Sequence, residues 1–158
     1  MSLHYWQHIY VSKLDIKIVC SRETVYGYHL LEEPYKIVSC KEKMHLSRYI
    51  VEQMFVLEKC PKTDARDSDI LKRIAGEKGF RKFSKKHLCI VVELYEGKYT
   101  VENWCRLPDG SYGADGKRWE EYMQKYECSS TDMESLDKNI AQAIEDGEAY
   151  LKAIGSHL

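Results

Sequence analysis

The sequence predicts an α+β domain in which a mostly antiparallel sheet packs against two or three helices and the chain ends in a long amphipathic helix. Residues 88–95 and 98–106 flank Glu96-Gly97 and alternate apolar with polar side chains, the pattern of a β-hairpin in a one-sided sheet. Residues 128–158 instead repeat apolar side chains at intervals of three and four, as one face of an α-helix does. A chain of 158 residues has the usual length of one domain, so we expect a single domain over 1–158.

The N-terminal part of the chain predicts strands. It is rich in aromatic and β-branched side chains, which favour a pleated, half-buried surface. Gly27 indicates a bend within one strand, and Pro34 interrupts the pattern before the next. We expect strands in the ranges 3–11, 16–20, 22–31 and 35–40.

Two helices are expected between this region and the hairpin. Range 42–59 fits both helical and strand spacing, and its length favours a helix that ends at Cys60-Pro61. Range 64–79 is the second helix candidate. Its candidate N-cap is Asp67 or Ser68. The glycine that would end it is Gly76 or Gly79.

The hairpin pattern also predicts a register. A two-residue turn at Glu96-Gly97 pairs the apolar side chains on one face and leaves the polar ones on the other. The expected pairs are Leu94 with Tyr99, Val92 with Val101, Glu93 with Thr100 and Cys89 with Trp104. A three-residue turn with Gly97 as a bulge would shift this register. Range 117–128 fits both a helix and a strand, and we favour a strand because it would extend the hairpin into a meander.

The terminal helix is expected to span 132–154. Thr131 and Glu134 have the spacing of a capping box, and Gly155 stands where a glycine commonly ends a helix. Gly147 falls on the apolar stripe, where a missing side chain permits close approach to a sheet. The residues expected to be buried are Leu136, Ile140, Ile144 and Leu151.

Composition and cysteine spacing predict a cytoplasmic protein. The net charge of −1 provides no whole-molecule attraction to nucleic acid or to anionic membranes. The six cysteines form no CxxC pair, most have apolar neighbours, and the chain begins without the apolar run of a signal peptide, so we expect reduced, largely buried thiols. No run of 18 apolar residues occurs, so no membrane-spanning helix and no membrane partner is expected.

The densest basic stretch, residues 72–87, also contains two phenylalanines. Cations interleaved with aromatic rings can neutralise phosphates and stack on bases, and a helix, a basic segment and a hairpin have the outline of a winged helix. The hairpin carries three glutamates, however, so a solvated loop is favoured over an acidic protein partner and over nucleic acid. The candidate nucleic-acid-binding residues are Lys78, Arg81, Lys82, Lys85 and Lys86.

Acidic side chains concentrate in the terminal helix. Helix capping and solubility account for much of this charge. The functional alternative is an acidic face that meets a basic protein partner. The candidate partner-binding residues are Glu145, Asp146 and Glu148.

The sequence contains no recognisable catalytic, metal or cofactor motif. His4 and His8 lie four residues apart, but their surroundings favour a strand, where they would stand well apart. Any of the cysteines could pair with a distant histidine as a nucleophile, but no local pattern distinguishes one. We therefore expect no metal, no cofactor and no enzymatic activity.

These features predict a small intracellular protein that acts by binding another protein. In outline the chain is similar to bacterial immunity and antitoxin proteins, which neutralise a cognate toxin by binding it. The resemblance implies a non-enzymatic inhibitor with a toxin as its partner. The alternatives are a nucleic-acid-binding regulator that uses residues 72–87 and a small enzyme with a cysteine or histidine active site.

Overall fold

The fold is α+β, as predicted, and the residues that the structure describes form a sheet of seven strands. The computed structural model describes residues 4–75, 79–156 and 158. The strands are β1 His4–Val11, β2 Asp15–Glu23, β3 His29–Ser39, β4 Leu88–Tyr95, β5 Lys98–Arg106, β6 Tyr112–Gly113 and β7 Tyr126–Ser129. The helices are α1 Ser47–Lys59, α2 Ile70–Ala75, α3 Phe80–Lys86, α4 Trp119–Tyr122 and α5 Met133–Ala153, which is more than the two or three expected.

The strands follow the order β3-β2-β1-β4-β5, and β6 and β7 both pair with β5. All of these pairings are antiparallel. The chain leaves the sheet after β3 at one edge, forms α1, α2 and α3, and returns in β4 beside β1. This long connection brings the first and second halves of the sequence together in the middle of the sheet.

The hairpin of β4 and β5 has the predicted register. Leu94 lies opposite Tyr99, and Cys89 lies opposite Trp104. Glu96 and Gly97 both have positive φ angles, 49° and 74°, as a two-residue type I′ turn requires. The hairpin lies inside the sheet rather than projecting from it, so the winged-helix outline was wrong.

Strand β3 merges two of the predicted strands. The chain turns at 24–28, where Gly27 has φ 88°, and then runs as one strand through Pro34. Proline is tolerated here because β3 is an edge strand, where a missing N–H need not break the ladder. The register against β2 shifts between Val19 and Cys20.

One face of the sheet, which we call the first face, is covered by α1 and α5. The α5 residues predicted to be buried are all at most 2% exposed. A Cβ added at Gly147 would lie 2.7 Å from Asn103 Oδ1, which confirms the close approach of α5 to β5. The buried amide of Gln53 donates to Gln7 Oε1 at 2.8 Å, so α1 is also joined to β1 by a hydrogen bond inside this layer.

The predicted capping box of α5 was wrong by one residue. Asp132 is the N-cap, and its Oδ1 accepts from the Ser135 N–H at 3.0 Å. Thr131 lies in the preceding turn, and Glu134 pairs with Lys138 on the helix surface at 3.1 Å. The C-terminal prediction is confirmed, because Gly155 has φ 73° directly after the C-cap.

The opposite, second face of the sheet is only partly covered, by α2 and α3. Its smaller core contains Tyr10, Val19, Ile70, Phe83, Cys89 and Val91. Helix α2 is shorter than the predicted range 64–79, and Gly79, with φ 91°, begins α3 instead of ending α2. The loop expected within 72–87 is therefore partly helical, since the chain forms α3 to place Phe83 in this core. Gly76 lies outside the described residues.

Both ranges whose spacing fitted a helix and a strand, 42–59 and 117–128, contain a helix. Range 42–59 contains α1, which ends at Cys60 as expected for a residue before proline. Range 117–128 is divided: α4 takes its first part, and β7 follows and pairs with β5. The meander was therefore predicted correctly, but the helical turn before it was not.

Candidate partner-binding surfaces

The predicted acidic residues of α5 divide into an exposed pair and a structural one. Glu145 and Glu148 are exposed, and we call them the acidic pair. Asp146 is half-buried and accepts hydrogen bonds from the Tyr126 hydroxyl at 2.7 Å and from Gln142 Nε2 at 3.1 Å. Burial together with this carboxylate raises the pKa of Tyr126 to about 12. Asp146 therefore holds β7 against α5, while Glu145 and Glu148 remain open to a partner.

Other acidic side chains of this region are also used inside the fold. Asp132 caps α5, as described above. Asp137 Oδ1 accepts from the Ser47 N–H at 2.8 Å, so it caps the start of α1, whose own N-cap Leu46 has no capping side chain. Much of the acidic charge predicted for a partner face thus satisfies backbone donors of the protein itself.

Four of the five predicted basic residues lie on one short helix. Arg81, Lys82, Lys85 and Lys86 lie on α3 and are exposed, whereas Lys78 falls outside the described residues. Arg81 and Lys85, one helical turn apart, line a pocket with Arg106 and Arg118. Lys86 lines a different pocket together with Lys17. Arg81 and Lys85 thus line one pocket, and Lys86 lines another.

The part of the second face that α2 and α3 leave open carries aromatic and imidazole rings. Trp6 packs against His4 at 3.8 Å and against His29 at 4.6 Å between ring centroids, and His8 faces Trp104 at 5.9 Å. His4 also hydrogen-bonds to Glu93. The sequence did not identify this group, because its members come from separate strands. It is half-buried except for the exposed His29, and it is polar at its edges, as partner surfaces often are.

The same face brings a histidine close to a cysteine, the pair that a cysteine active site would need. His8 Nδ1 lies 4.0 Å from Cys89 Sγ and 3.3 Å from the Tyr10 hydroxyl. Burial lowers the pKa of His8 to about 4 and raises the pKa of Cys89. A reactive cysteine needs the opposite shift, towards thiolate, so this arrangement lacks an activated nucleophile.

The cysteines are unpaired, and the part of the chain that the structure describes shows neither a metal-binding cluster nor a membrane-spanning helix. All six sulfurs are free thiols, with Cys20, Cys89 and Cys105 buried and the other three half-buried. Within residues 4–75, 79–156 and 158, no group of three or more His, Cys, Asp or Glu side chains could hold a metal ion. Over the same residues, no helix combines the length and the apolar character needed to cross a membrane.

Comparison with known proteins places the fold among solved structures. No protein-family model matches the sequence, and no curated protein matches it. The structure is similar to a protein of unknown function from Neisseria meningitidis, with a TM-score of 0.63 and 12% identity over 90% of this chain and 94% of that one. It is also similar to a chain of a CdiA-CT/CdiI toxin and immunity complex from Yersinia pseudotuberculosis, with a TM-score of 0.64 and 12% identity over 91% of this chain and 97% of that one. At this identity the likeness shows a shared fold.

Proposed function

We propose that this chain is an immunity-type protein, an intracellular inhibitor that binds and neutralises a cognate toxin. The observation that carries the proposal is the fold shared with a chain of a toxin and immunity complex. The similarity extends over 91% of this chain and 97% of that one.

The acidic pair is the proposed contact with the toxin. Glu145 and Glu148 are exposed on α5, a long helix held rigidly by its buried stripe. Toxins that cut nucleic acid present basic sites to phosphates, and complementary charge speeds their association with an acidic inhibitor. A rigid helix needs little ordering on binding, which favours affinity.

The test first asks whether a toxin is encoded beside this chain, and then measures growth rescue and association kinetics with that toxin. The double substitution Glu145→Lys/Glu148→Lys should slow association roughly tenfold and flatten its salt dependence. Asp146 is left unchanged because it holds Tyr126. A matched control is Glu52→Lys/Glu127→Lys, which reverses two exposed glutamates on α1 and β7 and alters net charge equally. Failure of the native protein to bind or protect would refute the function, and equal slowing by both variants would refute the site.

A nucleic-acid-binding regulator is the alternative supported by the exposed cations of α3. It predicts the opposite sign for the same variant, since removing acidic charge from α5 should tighten binding to DNA or RNA. Neutralising Lys82, Lys85 and Lys86 should then weaken binding and reduce its salt slope. Gel-shift titrations at two salt concentrations separate the two functions.

A further inference from the structure

Four cationic side chains converge on one pocket at the end of the sheet. The pocket has a volume of about 400 Å³ and lies between α3, the end of β5, the loop that follows β5, and the C-terminal part of α5. Arg81 and Lys85 come from α3, Arg106 ends β5, and Arg118 directly precedes α4. One carboxylate, Asp115, lines the pocket with them. In a protein whose net charge is −1, this is a local concentration of positive charge.

Arg106 is held in place at the floor of the pocket. Its Nη1 donates to the backbone oxygens of Ser84 at 2.9 Å and Lys85 at 2.6 Å, at the end of α3, and its Nη2 donates to Ser156 Oγ at 2.7 Å. These contacts use three of the five N–H groups of a guanidinium. The side chain is therefore oriented before any ligand arrives, which lowers the entropy cost of binding.

Arg81 and Arg118 have longer contacts within the protein. Arg81 Nη2 lies 3.3 Å from the Pro108 oxygen, and Arg118 Nη1 lies 3.5 Å from Asp115 Oδ2. The Asp115 carboxylate also accepts from the Tyr150 hydroxyl at 3.1 Å and from the Lys117 N–H at 3.2 Å. The Asp115 carboxylate is thus shared among several donors. Asp109 also interacts electrostatically with Arg81, although it is not among the residues that line the pocket. The two guanidiniums keep further donors for an outside anion.

The loop wall of the pocket is closely fitted to α3. Gly110 has φ 92°, and a Cβ at this position would lie 3.0 Å from Arg81 Cγ. The turn is closed by the Leu107 N–H, which donates to the Ser111 oxygen at 2.8 Å. A glycine is required here because the φ angle is positive and because a Cβ would crowd Arg81. The loop therefore packs closely against α3 on this side of the pocket.

We propose that this pocket binds a small phosphorylated anion through Arg81, Lys85, Arg106 and Arg118. Guanidiniums match phosphate oxygens with paired N–H donors, and several cations against one carboxylate suit a ligand with more than one negative charge. The volume is that of a small-molecule site, which favours a compact ligand over an extended nucleic-acid strand. The acidic pair is not among the residues that line this pocket, and the proposal is independent of the proposed toxin.

The first experiment is calorimetric titration of the full chain with inorganic pyrophosphate at low salt. We expect saturable binding to one site. Arg118→Ala and Lys85→Glu should each weaken it roughly tenfold, because each removes a charge-assisted contact. Lys82→Glu is the matched control, since Lys82 lies on the same helix but not in the pocket, and it should change the affinity less than twofold. Arg106 is left intact because it holds the end of α3. Absence of pyrophosphate binding by the native chain, or equal weakening by Lys82→Glu, would overturn the proposal.

Further ligands identify the source of the phosphate. ADP binding that is lost in Arg118→Ala would support a nucleotide-sized ligand. Citrate carries several carboxylates and no phosphate, so citrate binding as tight as that of pyrophosphate would overturn the phosphate assignment. Binding of a single-stranded oligonucleotide without pyrophosphate binding, and with equal sensitivity to Lys82→Glu, would overturn the pocket in favour of the outer surface of α3.

Discussion

The two faces of the sheet are covered to different extents and with different chemistry. On the first face, α1 and α5 enclose one large aliphatic core that receives side chains from most of the strands. On the second face, the short helices α2 and α3 cover only the part around Tyr10 and Phe83. The remainder carries tryptophan, histidine and glutamate side chains that are half-buried. We therefore expect stability to depend mainly on the first face.

The largest expected effect is the loss of stability when a core side chain is truncated, and this loss should differ between the two faces. Ile140→Ala removes a fully buried side chain from the first face and should lower the free energy of unfolding by about 2–5 kcal/mol. Leu71→Ala, on the second face, removes a half-buried side chain and should cost about 1 kcal/mol. Urea denaturation of both variants measures the difference. Equal losses would mean that the two faces contribute alike and would break the comparison.

A pH effect should come from the second face. Burial lowers the pKa of His8 from 6.5 to about 4, so the unfolded chain takes up a proton first as the pH falls. The stability associated with neutral His8 is complete above pH 6.5 and is lost towards pH 4, by about 2–3 kcal/mol between pH 7 and 4.5. Urea titrations at both pH values should show that His8→Gln loses this part of the dependence. An unchanged pH dependence in the variant would mean that His8 titrates normally.

A smaller effect tests how closely α5 approaches the sheet. Gly147→Ala places a methyl group 2.7 Å from Asn103 Oδ1 and 3.1 Å from Leu88 Cδ2, and should destabilise the protein by about 1–3 kcal/mol. Gly116→Ala is the control, because nothing lies within 4 Å of its added Cβ. Thermal unfolding of the pair measures the difference. A neutral Gly147→Ala would show that α5 can move away from β5 without cost.

The sequence predicted the elements whose signal is local and repeated. The apolar stripe of α5 and the alternation in β4 and β5 each contain enough positions to define which side chains are buried. The capping box failed because two adjacent residues, Thr131 and Asp132, are both good N-caps, and a choice between neighbours depends on how the preceding turn packs. Helix α3 was missed because it has only 7 residues, too few for helical spacing to be distinguished from a basic loop.

The candidate sites depended on contacts between distant residues. The sequence identified Glu145 and Glu148 from local charge alone, and both are exposed. It grouped Asp146 with them, although that carboxylate accepts from the Tyr126 hydroxyl, 20 positions earlier in the chain. It listed Arg81 and Lys85 but not Arg106 or Arg118, because no sequence pattern joins a helix to the end of a strand and to a later loop.

The sequence by itself determined the fold class, the hairpin with its register, and the buried stripe of the terminal helix, since each of these follows from the periodicity of neighbouring residues. The tertiary structure alone decided which charges serve the fold and which face outward. It also decided that Arg81 and Lys85 line a pocket together with Arg106 and Arg118, and that Lys86 lines another. The physical reason is that a charged side chain is bound or free according to what packs beside it, and those neighbours lie far apart in the sequence.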